Sequence, residues 1–180
     1  MTTALLVIDI QNDYFPNGKM TLTNPDYAAQ NAAKLLAHFR HTNTPIFHVQ
    51  HITEGEIIPF FHPNTEGVEI HESVRPLESE TVIVKNTPNS FFNTNLHEKL
   101  QEHGVKELIV CGMMSHICID ATVRSAVEHG YVCQVIEDAC ATTTLQIEEK
   151  TISAEHVHYA FMAALNGMYA TVTTTEAFLK

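Results

Sequence analysis

Lys106–Ile119, KELIVCGMMSHICI, decides how the chain folds. Leu108, Ile109, Val110 and Cys111 form the short apolar run of a strand buried on both faces. Gly112 breaks that run, and Ser115 is placed to cap a following helix that extends to about His129. Cys118 then falls in the first helical turn, where unpaired N–H groups and the helix dipole favour negative charge. A thiol so placed can have its pKa lowered from ~8.5 into the range ~3.5–7.5 and be a thiolate at neutral pH. The plainer alternative is that Cys118 is a small buried hydrophobe. Cys111 and Cys133 sit in apolar strand runs, and Cys140 falls in a loop after Asp138.

Outward from this stretch, strands and helices alternate. Ala4–Ile8 is a first buried strand and ends at Asp9. Tyr27–Phe39 carries Ala28, Ala32, Leu35, Leu36 and Phe39 at helical spacing. Strands follow at Ile46–Val49 and Thr81–Val84, then a helix at Asn95–His103. Beyond the Cys118 helix come a strand at Tyr131–Ile136, a helix at Glu149–Leu165 and a sixth strand at Met168–Val172. This order predicts one α/β domain over residues 1–180, a doubly wound (Rossmann-like) six-stranded parallel sheet with helices on both faces. Residues 51–76 are the irregular part, broken by Pro59, Pro63, Gly67 and Pro76. A loop of this length in a compact domain is functional or interface-forming.

Composition narrows the partners. At 180 residues and 44% hydrophobic, the chain can bury a core. Ten Lys and Arg against 21 Asp and Glu give a formal charge of −11, with no basic cluster, so neither nucleic acid nor an anionic membrane is an expected partner. The start MTTALLVIDIQND has no basic region and meets Asp9 after a short apolar run, so neither a signal peptide nor a membrane span is expected. Four cysteines without a CxxC pair suit a reducing cytoplasm.

In open parallel sheets, ligands bind outside the carboxyl ends of the strands. Asp9, Lys85 and Cys118 fall at such ends or in the turn that follows. Asp9 is a candidate general base for the Cys118 thiol, with Lys85 balancing the charge. A plain Asp9–Lys85 salt bridge, or two strand-end residues facing water, would leave the same pattern.

Three segments carry a resemblance: ALLVIDIQNDYF at 4–15, VIVKNTPNSFFNTNL at 82–96 and VCGMMSHICIDATVRSAVEHGYVCQVIEDACAT at 110–142. With the tail HYAFMAALNGMYATVTTTE, they resemble the isochorismatase-like cysteine hydrolase superfamily nearly end to end. The resemblance implies a six-stranded parallel sheet and an Asp9–Lys85–Cys118 catalytic triad. It also implies a cis peptide between Met113 and Met114, which aims the Met114 backbone N–H, with that of Cys118, at a developing oxyanion. The implied chemistry is thiolate attack on an amide-type carbonyl, loss of ammonia or an amine, and hydrolysis of a thioester. Tyr14, Phe15, Phe91, Phe92, Met114 and Ile117 are candidates for lining the pocket.

A nicotinamidase branch binds metal through an Asp-x-His motif, but here the region reads His48–Val49–Gln50–His51. No metal is therefore expected, and no phosphate-cradling glycine loop implies a nucleotide cofactor. The expected function is cofactor-free hydrolysis of a C–N bond in a small amide, ureide or carbamoyl compound. The alternatives are vinyl-ether hydrolysis of isochorismate and a binding or assembly domain without turnover. The resemblance also implies a homo-oligomer, dimer or tetramer, and residues 51–76 are the segment best suited to reach a neighbour's pocket.

Overall fold

The structure, a computed structural model, describes residues 2–55 and 58–180. Positions 56 and 57, inside the irregular 51–76 segment, and position 1 lie outside the described residues. The elements run β1 (Thr2–Ile8), α1 (Pro25–His41), β2 (Ile46–His51), β3 (Thr81–Lys85), α2 (Leu96–Glu102) and β4 (Val105–Met113). After a π turn at Ser115–Ile119 come α3 (Asp120–Glu128), β5 (Val132–Ala141), β6 (Leu145–Ile147) and β7 (Lys150–Ile152). The chain closes with α4 (Ala154–Leu165), β8 (Thr171–Thr173) and α5 (Thr175–Phe178).

Six strands form one parallel sheet in the order β3-β2-β1-β4-β5-β8. The chain winds outward from β1 to the β3 edge, then returns to place β4 on the other side of β1. That reversal opens a crevice between the carboxyl ends of β1 and β4, where parallel sheets bind ligands.

Alternation along the strands builds two cores. Ala4, Leu6, Ile8, Leu108 and Val110 face one side, with Leu96 and Leu100 of α2 and Val123 and Ala126 of α3. Leu5, Val7, Ile109 and Cys111 face the other, with Ala28, Ala32, Leu35, Leu36 and Phe39 of α1. The aliphatic runs read as strands buried on both faces are buried on both faces. No helix among the described residues is long and apolar enough to cross a membrane.

Five local expectations are corrected. Gly112 does not end its strand; β4 continues through it to Met113. Ser115 does not cap a helix by its side chain: the chain enters a π turn, and the hydroxyl bonds elsewhere. Cys140 lies within β5 rather than in a loop, because a register shift lets β5 pair on from Gly112↔Cys140 to Met113↔Ala141. The last long helix starts at Ala154, capped by Ser153, and the residues before it form the β6–β7 hairpin. Glu149 and Lys150 favour helix by type, but Glu148 adopts φ 51° and turns the chain back. The sixth strand is correspondingly short and lies at Thr171–Thr173.

The irregular segment after β2 is anchored by Phe61, Val68 and Val74, all buried in the α1-side core.

Candidate active site

Asp9 follows β1 directly and has φ 52°. Lys85 is the last residue of β3, two strands away, and pairs in register with His51 of the intervening β2. Its long side chain crosses that strand end to bring the ammonium to 2.6 Å from Asp9 Oδ2. The same ammonium donates to Cys118 Sγ at 3.3 Å. The sheet topology thus brings together the three residues singled out as a triad, all buried: Asp9 0%, Lys85 1% and Cys118 4% exposed.

The Lys85 ammonium has further partners in the carbonyls of Thr87 at 3.0 Å and Pro88 at 3.3 Å and in His51 Nδ1 at 3.2 Å. Burial alone would lower its pKa, but Asp9 and Cys118 outweigh that and raise it, so the group stays charged. His51 receives the ammonium proton on Nδ1, which leaves Nε2 as the N–H of the neutral ring. Burial and then Lys85 push the His51 pKa down to about 4, against a weaker opposing effect of Asp9.

The thiolate expected from the helix-start position is corrected by burial. Burial, and next the Asp9 carboxylate, push the Cys118 thiol up, while Lys85 offsets only part of this. The ammonium already neutralises one anion, and a second on sulfur would be left with the same single cation. The resting pair is therefore a protonated thiol beside a carboxylate. Oδ1 of Asp9 makes no hydrogen bond among the described residues. It is free to accept a proton.

Ligand atoms of Asp9, His51 and Cys118 all lie within 4.8 Å of one another, a spacing that could hold a metal ion. The Lys85 ammonium lies within 3.3 Å of an atom of each, so these donors already surround a cation. His48 does not join them. Three residues from His51 in a strand, it points to the opposite face and bonds Glu80 at 2.9 Å. The His-x-x-His pair is divided by the sheet.

Around the triad the chain builds an aromatic wall. Tyr14 is buried, and burial, then Cys118 and Asp9, hold its hydroxyl well above its ordinary pKa. Phe61 packs edge-on to Tyr14 at 4.7 Å and tilted to His51 at 5.8 Å, and Phe60 packs on both Tyr14 and Phe61. Asp13 ties Phe61 in place by accepting its backbone N–H at 2.7 Å. Gln11 exchanges two hydrogen bonds with the His51 backbone and donates a third to Val68 O.

Of the predicted lining residues, Tyr14 belongs to this wall, Met114 is buried beside the nucleophile's turn and Ile117 is half-buried against both cores. The Met113–Met114 peptide is cis. Phe15 instead stacks on His71 at 3.7 Å. Phe91 stacks on His129, which follows the far end of α3 from the Cys118 turn, and Phe92 is 56% exposed. Phe91 packs in an aromatic cluster with Tyr131, and Phe92 is exposed to solvent. His51, Phe60, Phe61, Gln11 and Asp13 were not anticipated. Their one signal was the alternation of polar residues Asp9, Gln11 and Asp13 just past a buried strand. Two open clefts, of about 1020 and 610 Å³, lie beside this region, and no triad residue lines either.

Residues 3–177 match the Isochorismatase domain. The chain is 85% identical over 180 residues to the isochorismatase family protein YddQ of Bacillus subtilis, covering 100% of both. It superimposes on the crystal structure of an isochorismatase from Pseudomonas putida with a TM-score of 0.91 at 40% identity, over 97% of this chain and 89% of that one. Streptothricin hydrolase of Streptomyces noursei is 34% identical over 139 residues, 77% of this chain and 54% of that enzyme. With its switch-point crevice and a domain match spanning nearly the whole chain, this protein belongs to the isochorismatase family of hydrolases.

Proposed function

We propose that the chain is a cysteine-dependent amidase that cleaves a C–N bond in a small amide, ureide or carbamoyl compound. One observation carries the reading: a single buried ammonium holds a carboxylate at 2.6 Å and a thiol at 3.3 Å. A salt bridge serving only stability would not need the sulfur. As Sγ bonds to the substrate carbonyl carbon, Asp9 takes the thiol proton and the C=O electron pair moves to oxygen. The backbone N–H groups of Met114 and Cys118 are the proposed donors to that oxyanion. Collapse breaks the C–N bond, and Asp9 returns its proton to the departing nitrogen. Ammonia or an amine leaves, and a thioester remains on Cys118. Asp9 then takes a proton from water as the oxygen attacks the thioester carbon. The C–S bond breaks, the carboxylic acid leaves, and the proton goes back to sulfur. Lys85 holds Asp9 in place throughout and offsets the negative charge as it passes between oxygen and sulfur.

The substrate is read as a small molecule, without nucleic acid or membrane as partner. The four free cysteines support a cytoplasmic setting. A homo-oligomer is proposed on the exposed Ile147 and Ile152 of the β6–β7 hairpin, apolar residues that a second copy could cover. The test is amine or ammonia release from a panel of neutral amides, ureides and carbamoyl compounds, with acid-quenched protein weighed for an acyl adduct. Wild type should show turnover and an adduct on Cys118, and Cys118→Ala neither. Isochorismate turnover that survives in Cys118→Ala would replace this reading with the vinyl-ether one.

A further inference from the structure

Cys118 is carried by a turn with little of its own to hold it. Ser115–Ile119 is a π turn, a rare conformation found mostly at functional sites, and no side chain caps its start. The backbone N–H groups of Ile117 and Ile119 both end on the Met114 carbonyl, at 3.1 and 3.2 Å. Ser115 opens the turn and is fully buried. Its hydroxyl lies 3.3 Å from Ala141 O of β5 and 2.8 Å from His158 Nδ1 of α4. On the other side of the ring, His158 Nε2 is 3.5 Å from Glu137 Oε2 of β5. Glu137, His158 and Ser115 therefore form a line from an open cleft to the turn that bears the nucleophile.

We propose that His158 is a positioning residue for Cys118, acting through Ser115, with Glu137 orienting the ring. This rests on the reading of Cys118 as the nucleophile. The Ser115 hydroxyl has one proton and two acceptors to choose from. In the neutral ring with its proton on Nε2, facing Glu137, Nδ1 accepts the Ser115 proton. With the proton on Nδ1, the ring donates to Ser115 Oγ and the hydroxyl donates to Ala141 O. In the protonated ring both nitrogens donate, and the Ser115 proton turns to Ala141 O. Either way the hydroxyl stays tied to α4. Without the ring, Ser115 keeps only the longer bond to Ala141, and the turn loses one of its two histidine ties, the one three residues before the sulfur. The other titratable groups lining the cleft are Tyr27, Asp138, Cys140, Glu155 and Tyr159. Asp138 accepts from the Thr175 backbone and hydroxyl, both at 2.7 Å. The ring's ion-pair contact is with Glu137, at 3.5 Å. Next along the turn, His116 Nδ1 meets Thr142 Oγ1 at 2.6 Å, a second tie to the segment just past β5.

The experiment is the rate of Cys118 alkylation by iodoacetamide at neutral pH, read at that residue by mass spectrometry. Wild type, His158→Leu, His158→Asn and Ser115→Ala are compared, each with a melting curve. A misplaced sulfur should slow the His158→Leu and Ser115→Ala reactions by about tenfold or more. The melting temperature of His158→Leu should stay within a few degrees of wild type. His158→Asn, whose amide can restore a hydrogen bond to Ser115, should recover to within about threefold of wild type. A ring that served only as packing would reverse that order, with leucine keeping the rate and asparagine losing it, and would overturn the inference. Equal, fast labelling of wild type and His158→Leu would overturn it alone. Because the thiol is protonated at rest, its labelling depends on Asp9 taking the proton. Labelling of wild-type Cys118 no faster than Cys133 would therefore remove the base-assisted nucleophile reading and this inference with it. Should His158→Leu fail to fold, Ser115→Ala, which deletes one oxygen, decides the question by the same rate.

Discussion

Gly112 of β4 and Ile8 of β1 touch backbone to backbone, so closely that a Cβ at Gly112 would overlap the Ile8 carbonyl oxygen. Gly112 also adopts φ 134°, where other residues are strained. The contact lies at the switch point, one residue before Asp9 and six before Cys118, and sets how near those two come. Gly112→Ala should therefore cost about 3 kcal/mol or more through overlap and strain together. Urea melts would register this as a lower midpoint with an unchanged slope, and a midpoint equal to wild type would count against the contact.

The Asp9–Lys85 pair is fully buried, so breaking it leaves a lone charge in the core. Lys85→Met should destabilise by roughly 3–5 kcal/mol, whereas Cys118→Ala, which leaves the pair whole, should unfold close to wild type. Asp9→Leu combined with Lys85→Met should regain much of the lost stability and stay inactive. Denaturant curves for these three variants and for Asp9→Leu alone would measure this. A double variant no better than the worse single one would show that the pair is not electrostatically coupled.

Much of this arrangement was legible because it follows from short-range patterns. The aliphatic run ending at Asp9 reads as a strand buried on both faces. The run ending at Lys85 reads as a short strand and proves to be the half-exposed sheet edge, and parallel topology sends both ends to one side. What escaped depends on contacts far apart in sequence. His51 joins the site because Lys85 crosses β2 to reach Asp9, and no periodicity encodes that crossing. Phe60 and Phe61 lie in a loop without a repeat, placed by a hydrogen bond from 48 residues away. Ser115 carries the same signal whether it caps a helix or anchors a π turn. Cys118 sits where a helix dipole would lower its pKa, but its burial outweighs that dipole.

The same burial predicts the resting protonation state of the nucleophile. Since the Cys118 thiol is pushed above its ordinary range, wild type and Cys118→Ala should have the same far-ultraviolet thiolate absorbance at neutral pH. A difference should emerge only in strongly alkaline solution. Cys133 and Cys140, pushed up to about 12 by burial, add no thiolate background near neutrality. A thiolate signal at neutral pH that disappears in Cys118→Ala would mean that Lys85 outweighs burial and Asp9, and that the thiol needs no base.

Acid stability should fall in two stages. Burial and then Lys85 lower His51 from 6.5 to about 4. Below pH 6.5 the unfolded chain binds a proton that the native ring refuses, so stability drops until about pH 4. Glu80 follows. Burial opposes its charge, but Arg40, the Leu77 N–H and His48 outweigh it and hold the carboxyl at about 2, below its ordinary 4.5. Its contribution is complete above pH 4.5 and is lost as pH falls toward 2. Each stage has a limiting slope of about 1.4 kcal/mol per pH unit. Urea midpoints against pH should fall less steeply in the upper window for His51→Asn and in the lower one for Glu80→Gln. His48, His71 and His116, also lowered by burial, still contribute in the upper window. Since Glu80 ties α1 to the start of β3 through Arg40 at 2.7 Å, Glu80→Gln should also be the less stable protein near neutrality. A variant whose profile ran parallel to wild type in its own window would show that its group does not titrate there.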